Sequence, residues 1–342
     1  NRIVGLTLET RPDYITESEL QTMRLLGCTR VEIGVQHLDD QILKLNKRGH
    51  LVAESIRATA LLRQFGFKIT YHLMLNLPGS TPAKDLAMFK KIYSDPRFQP
   101  DQLKIYPCVV AEGSLLYKWW RRGLWHAYSQ KTLTNLIIKI KLITPPWVRL
   151  IRIIRDIPEE SIIAGNKITN LRQEVKFIMD KQNLTCQCIR CREAGHASSL
   201  DEAPGRMTGQ KSKLFIRTYP VSNGTEYFLS FESPDQKILY AFCRLFLPLT
   251  SPPQMRRGER VVLKYTTTVL VRELHTYGEM VPIAVKGKIQ HTGLGKKLLA
   301  EAEKIARKNH YQKLSVISGI GVRGYYRKLG YHLENTYMAK TL

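Results

Sequence analysis

The stretch Gln290-His291-Thr292-Gly293-Leu294-Gly295 has residue types and spacing suited to holding a pyrophosphate. Glycines at 293 and 295 remove side chains where a phosphate must approach the backbone. The N–H groups of a following helix supply donors and a favourable dipole. That helix is expected from Lys296 to Arg307, where Leu298, Leu299, Ala302 and Ile305 recur at helical spacing. A β-branched run, Tyr265 to Tyr277, precedes it, so the local order is strand, loop, helix. The same residues would equally suit an ordinary tight turn into a helix.

A second cluster is Cys186-Gln187-Cys188-Ile189-Arg190-Cys191, which holds three of the six cysteines. Such clustering argues for thiolate ligation over disulfides. A tetrahedral zinc needs a fourth ligand. The candidates are Cys108, at the end of a predicted strand, and His196 just downstream. Cys108 is preferred, since it would staple this segment to the first domain. Iron–sulfur ligation is the rival reading of the same thiols.

Charge supplies the third signal. A formal net charge of +24 over 342 residues exceeds what solubility requires and points to a polyanionic partner, with nucleic acid the leading candidate. Basic residues sit beside aromatics in Trp119-Trp120-Arg121-Arg122, and Arg149, Arg152 and Arg155 make a short cationic rail suited to phosphates. The plainer alternatives are solvated helix faces and a strand with snorkelling arginines. No window approaches 18 uninterrupted apolar residues and no signal-peptide layout is present, so a soluble, cytoplasmic protein without a membrane partner is expected.

The elements that must position these groups fall into two sets. Strands are expected at Ile3 to Leu8, Arg30 to Val35, Lys68 to Leu75, Gln102 to Tyr106 and Arg149 to Ile153. Helices fit between them at Glu17 to Leu26, Val52 to Phe65, Ala83 to Tyr93 and Thr132 to Leu142, which makes a parallel β/α array. Five strands cannot close an eight-stranded barrel, so residues 1–155 read as the later part of a TIM-like barrel whose first units lie upstream of Asn1. Residues 156–210 read as a metal-binding linker, turning polar and small after Glu193. In residues 211–342, three β-runs (Leu214 to Thr218, Glu226 to Phe231, Ile238 to Leu247) lead into the long strand. A helix, a strand at Lys313 to Ile317 and a last helix ending near Leu329 follow.

Specific wording then adds a resemblance. The glycine loop after a strand, with Ser318-Gly319-Ile320-Gly321-Val322-Arg323-Gly324-Tyr325-Tyr326-Arg327-Lys328-Leu329-Gly330-Tyr331 downstream, resembles the two signatures of the GNAT acetyltransferases. The words GLTLETRPD, RVEIGVQ and LPGS resemble radical S-adenosylmethionine enzymes. Both sets, in this order, are similar to the Elongator catalytic-subunit family with its stand-alone archaeal and bacterial tRNA uridine-34 acetyltransferases. The resemblance implies an α/β fold, a partial radical S-adenosylmethionine barrel followed by a GNAT α+β domain. It implies acetyl-CoA lying along Glu273, Leu274, His275 and Thr276, with its pyrophosphate on Gln290, Gly293, Leu294, Gly295 and Lys296. Tyr325 or Tyr326 would meet the thioester, with His275 and His291 as candidate bases. Glu9 and Gln36 would edge an S-adenosylmethionine pocket, or else merely cap their loops. The family's three-cysteine [4Fe-4S] motif has no counterpart in the chain. The implied reaction attaches an acetyl-derived group to C5 of the wobble uridine of tRNA, with the anticodon stem-loop as partner and Elongator-type subunits or a second copy as further partners. A protein lysine acetyltransferase and a CoA-binding RNA scaffold are the competing functions.

Overall fold

The computed structural model of the chain describes residues 3–153, 158–194, 212–249, 267–277 and 293–342. Gln290, His291, Arg155 and His196 lie outside the described residues.

The first domain is a five-stranded parallel sheet in the order β1 (Thr7–Thr10), β2 (Arg30–Gln36), β3 (Lys68–Leu75), β4 (Gln102–Pro107), β6 (Arg149–Ile153). Helices return the chain between strands: α1 (Glu17–Leu25), α2 (Asp40–Leu45) with α3 (Val52–Gln64), α4 (Pro82–Ser94), and α5 (Leu115–Arg121) with α6 (Gln130–Leu142). Their starts are where side chains can satisfy free N–H groups. Thr16 accepts from Glu19 N, Thr81 from Lys84 N and Ser129 from Thr132 N. Alternation within each strand sends Val31, Ile33, Ile69, Tyr71, Leu103 and Ile105 into a core with no solvent exposure, under the helices. The opposite, concave face is polar, and this asymmetry governs the chemistry below. A two-stranded pair, β5 (Val110–Ala111) and β7 (Ile162–Ala164), lies beside it.

Of residues 156–210, the described ones 158–194 pack against the first domain. Helix α7 (Leu171–Lys181) buries Leu171, Val175 and Met179 in the first core, and Ile189, which opens α8 (Ile189–Arg192), donates its N–H to Val148 O at 3.0 Å.

The second domain is a seven-stranded sheet. Antiparallel β8 (Lys213–Val221), β9 (Gly224–Glu232) and β10 (Leu239–Pro248) lead to β11 (Thr268–Thr276), which pairs in parallel with β12 (Lys313–Val316). Strands β14 (Tyr337–Thr341) and β13 (His332–Glu334) complete the edge, with α9 (Leu294–Lys308) on one face and α10 (Arg323–Arg327) near the splay. The other face packs on the N-terminal ends of the first domain's strands. Arg63 meets Glu226 at 2.9 Å, and Arg272 meets Asp101 at 3.1 Å and Glu226 at 2.8 Å, all with at most 1% side-chain exposure. Tyr337 Oη donates to Phe65 O at 2.8 Å, and Trp147 stacks on Tyr219 at 4.5 Å. No described helix is long and apolar enough to cross a membrane.

Candidate functional site

Strand β11 pairs with β12 only from Thr268 to Val271, followed by Ile317 N donating to Val271 O at 3.1 Å. Beyond that point β11 runs on to Thr276, held by β10 on its other side. The two parallel strands therefore part, and among the described residues no strand pairs with residues 274–276 on that edge. Directly across the split lies the start of α9. Gly293 caps that helix with a left-handed φ of 76°, a conformation that costs glycine little. The first turn of α9 contains no acidic residue; Lys296 and Lys297 stand there, where a bound anion would offset their unfavourable position on the helix dipole.

Gly295 is where a side chain would intrude. A Cβ built on it lies 3.1 Å from Tyr325 Oη and 3.5 Å from Thr276 Oγ1, with Leu274 at 4.0 Å. The structure thus gathers Gly293, Leu294, Gly295, Lys296, Leu274, Thr276 and Tyr325 around one cradle. The two tyrosines differ. Tyr325 is 41% exposed at the cradle, whereas Tyr326 is buried against Tyr331 and Tyr325 and its hydroxyl is held protonated by burial.

His275 lies on the opposite face of β11, stacked on Phe242 at 5.9 Å and against Tyr277 at 4.4 Å. Burial lowers its pKa to about 4, with Lys68 and Arg149 acting in the same direction and Glu273 opposing. Among the described residues His275 as a whole is exposed, while its ring packs on Phe242 and Tyr277. A neutral imidazole at pH 7 is available as a proton acceptor. The Glu273 carboxylate is taken by Lys68 and by Arg244 at 3.0 Å. Only its backbone remains for ligand contact.

The three thiols of Cys186, Cys188 and Cys191 lie within 4.8 Å of one another, as a shared metal requires. Hydrogen bonds from Cys186 and Cys188, helped by the Lys141 ammonium 3.4 Å away, hold the Cys191 thiol far below the ordinary thiol range. Cys108 is not with them. It follows the C-terminal end of β4, in an apolar cluster with Ile42, Leu77, Val110 and Trp125, where burial pushes its pKa up to about 12. The triad sits at the opposite end of the sheet, beside the start of β6, so the expected staple does not form.

Arg149 is likewise drawn inward. It donates to Tyr277 Oη at 2.6 Å and pairs with Glu193 at 2.6 Å, which makes it a clamp between domains rather than part of a phosphate rail. Arg152 is exposed on the concave face. Trp119 is half-buried on α5, a helix with no buried residue; Arg121 is exposed at its end and Arg122 just after it. Glu9 is an exposed carboxylate on the concave face. Gln36 ends β2 with a φ of 64°, in the left-handed region that disfavours a glutamine side chain. Cys28 and Cys243 are buried in the two cores.

Residues 1–92 match the radical SAM superfamily, residues 100–181 the radical SAM C-terminal domain, and residues 263–339 the GNAT acetyltransferase domain. The whole chain is 47% identical to a tRNA uridine(34) acetyltransferase of Dehalococcoides mccartyi, spanning 72% of that protein. It is 45% identical to one of Methanocaldococcus jannaschii, spanning 62%, and 38% identical to Elongator complex protein 3 of Saccharomyces cerevisiae, spanning 60%. The solved structure of Methanocaldococcus infernus Elp3 with an N-terminal deletion superposes with a TM-score of 0.89 at 45% identity, over 99% of this chain and 78% of that one. The chain, with its two domains and its split β11–β12 edge, therefore belongs to the tRNA uridine(34) acetyltransferase family, which includes Elongator complex protein 3.

Proposed function

We propose that this chain is the acetyl-CoA-binding and barrel part of an enzyme that modifies C5 of the wobble uridine of tRNA. The observation that carries the reading is the glycine cradle at the β11–β12 split, set on a sheet whose other face is fastened to the barrel. Acetyl-CoA supplies the activated acetyl group. Gly293, Leu294, Gly295 and Lys296 would take the pyrophosphate through backbone N–H groups, and the edge of β11 would take the pantetheine amides. Tyr325, exposed at the cradle beside Gly295, would donate a hydrogen bond to the bound cofactor, and His275 would accept a proton on the barrel side. Tyr326 supports Tyr325 by packing. Glu9 and Gln36, at the C-terminal ends of β1 and β2, are the chain's contribution to an S-adenosylmethionine pocket.

A [4Fe-4S] cluster does not fit the cysteines present. Cys28 and Cys243 are core residues, Cys108 stands alone, and the triad lies at the wrong end of the strands. No step is assigned through such a cluster. The triad instead suits zinc, with Lys141 offsetting thiolate charge. Elemental analysis should find about one zinc per chain, lost in Cys188→Ser and retained in Cys108→Ser. Iron in place of zinc would overturn this assignment.

The RNA side rests on the +24 charge, on Arg121 and Arg122 beside Trp119, and on the exposed Arg152; Arg155, outside the described residues, extends that stretch. Affinity for a tRNA anticodon stem-loop should fall by roughly a thousandfold between 50 and 200 mM salt if about six phosphates are neutralised. Arg121→Glu with Arg122→Glu should weaken that binding at least tenfold and leave acetyl-CoA affinity unchanged. In the full-length cytoplasmic protein, tRNA should stimulate acetyl-CoA turnover. Equal binding of unrelated duplex RNA, with no stimulation by either, would leave a basic acetyltransferase of another substrate.

A further inference from the structure

Strand register sets two carboxylates side by side on the concave face. Glu9, near the end of β1, is the register partner of Glu32 in β2. Like charges directly opposite one another on neighbouring strands repel, so a cation must hold them. His72 of β3 stands in that place. Its Nε2 lies 2.7 Å from Glu32 Oε2 and its Nδ1 3.3 Å from Glu9 Oε1, so the imidazole spans the two. Lys104 of β4, the register partner of His72, also pairs with Glu32, and Tyr106 packs edge to face on the imidazole at 5.5 Å between centroids.

The two carboxylates differ in exposure. Glu32 has 6% side-chain exposure and its oxygens are taken by His72 and Lys104, whereas Glu9 has 62% and faces solvent. The ligand atoms of Glu9, Glu32 and His72 lie within 4.8 Å of one another, near enough for a shared cation, but the Lys104 ammonium already supplies positive charge at Glu32. The cluster is therefore complete without a metal. Its order is exposed carboxylate, imidazole, buried carboxylate, ammonium. In such an arrangement the inner groups lock the orientation of the outer one.

We propose that His72, anchored by Glu32 and Lys104, is a positioning residue that holds the Glu9 carboxylate ready for S-adenosylmethionine at the carboxyl end of β1. This rests on the S-adenosylmethionine reading of Glu9 given above. An ionised carboxylate is an acceptor only, suited to the hydroxyl and amino donors of that ligand. A glutamate on an open surface loses rotamer freedom when it binds, and one already held by a buried imidazole has less to lose. His72 has 8% side-chain exposure, so Glu9 is the group presented outward.

A double-mutant cycle on the full-length protein tests the assignment, read as S-adenosylmethionine affinity by calorimetry in the absence of a reductant, so that the ligand stays intact. Glu9→Gln should weaken binding by roughly tenfold to a hundredfold, the scale for a hydrogen bond to a charged group. His72→Gln should weaken it by about tenfold alone, but by less than about twofold once residue 9 is glutamine, because the charge it holds is then gone. Acetyl-CoA affinity should not change in either variant. Should His72→Gln fail to fold, Glu32→Gln runs the same cycle, since it removes the charge that anchors the imidazole. Additive losses, or a His72→Gln protein that binds like the parent while Glu9→Gln does not, would overturn the positioning role and leave the S-adenosylmethionine site standing. A parallel loss of acetyl-CoA affinity would mark general loosening and overturn it as well. Parent affinity in Glu9→Gln would remove the S-adenosylmethionine site from this position, and the inference with it.

Discussion

Replacing Asp101 by asparagine is expected to destabilise the protein by roughly 3–5 kcal/mol, the scale for removing one partner of a buried ion pair. Asp101 stands just before β4 with 1% exposure, accepts from Ile69 N at 2.8 Å, and faces Arg272 at 3.1 Å and Arg244 at 3.5 Å. Asparagine keeps the volume but turns an N–H₂ group toward a guanidinium. Arg272 retains Glu226 and the carbonyl of Phe67, yet the buried cations of this interface lose one of their three carboxylates, Asp101, Glu226 and Glu273. Burial alone would raise the Asp101 pKa; the guanidiniums of Arg272, Arg244 and Arg63 outweigh it and hold the carboxyl well below the usual range. A folded pKa below the unfolded value of about 3.9 means stabilisation that is complete above that pH and lost as pH falls toward the folded value. Glu32 adds a parallel loss: against burial, His72 and Lys104 push it down to about 2, so its contribution fades from about pH 4.5 downward. Urea unfolding at pH 7 and pH 3 should show the parent losing more stability on acidification than Asp101→Asn does. Equal stability at pH 7, or identical acid losses, would mean that this interface does not depend on Asp101.

That network could not be read from the sequence, and the reason is physical. Arg63, Asp101, Glu226, Arg244 and Arg272 are spread over more than 200 positions, and each, taken alone, is a charged residue with a strong prior for the surface. Only the docking of one sheet against the ends of another brings them together. By contrast, the parallel strands were legible because both their faces follow local rules. Lys68 to Leu75 coincides with β3, and Arg149 to Ile153 with β6. The polar concave face was also present in the sequence, as Glu32, His72 and Lys104 each alternate with apolar neighbours in period two. That signal could have been drawn from the strands once they were placed.

The glycine start of α9 was legible because glycine requirements are local: Gly293 caps α9 in a left-handed conformation and Gly295 faces Tyr325. Cys108 was misplaced because strand order does not reveal which end of a sheet a loop occupies. The triad packs beside the start of β6, whereas Cys108 follows the far end of β4. Arg149 was read as a phosphate contact for a similar reason, since Tyr277 and Glu193 are distant in sequence from it. Short helices such as α2 and α8 were missed because six or four residues carry too little periodicity to distinguish them from loops.

Gly295→Glu should abolish measurable acetyl-CoA binding while leaving the fold intact, and the two halves of that expectation have separate causes. For the fold, residue 295 lies in the first turn of a 15-residue helix, where a carboxylate is favoured by the dipole and glycine is the poorer helix former by about 1 kcal/mol. The new Cβ would approach Tyr325 Oη at 3.1 Å, and Tyr325 is exposed enough to turn aside. For the ligand, a carboxylate held about 4 Å from a phosphate costs about 4 kcal/mol at an effective dielectric of 20, which is on the order of a thousandfold in affinity. Gly295→Ala separates bulk from charge: it adds the Cβ alone and should weaken binding far less, by about tenfold. Calorimetric titration of acetyl-CoA into both variants, with melting temperatures measured alongside, distinguishes the causes. If Gly295→Glu melts with the parent and still binds with the parent's affinity, the pyrophosphate does not lie at the start of α9, and the open edge of β11 must serve some other ligand.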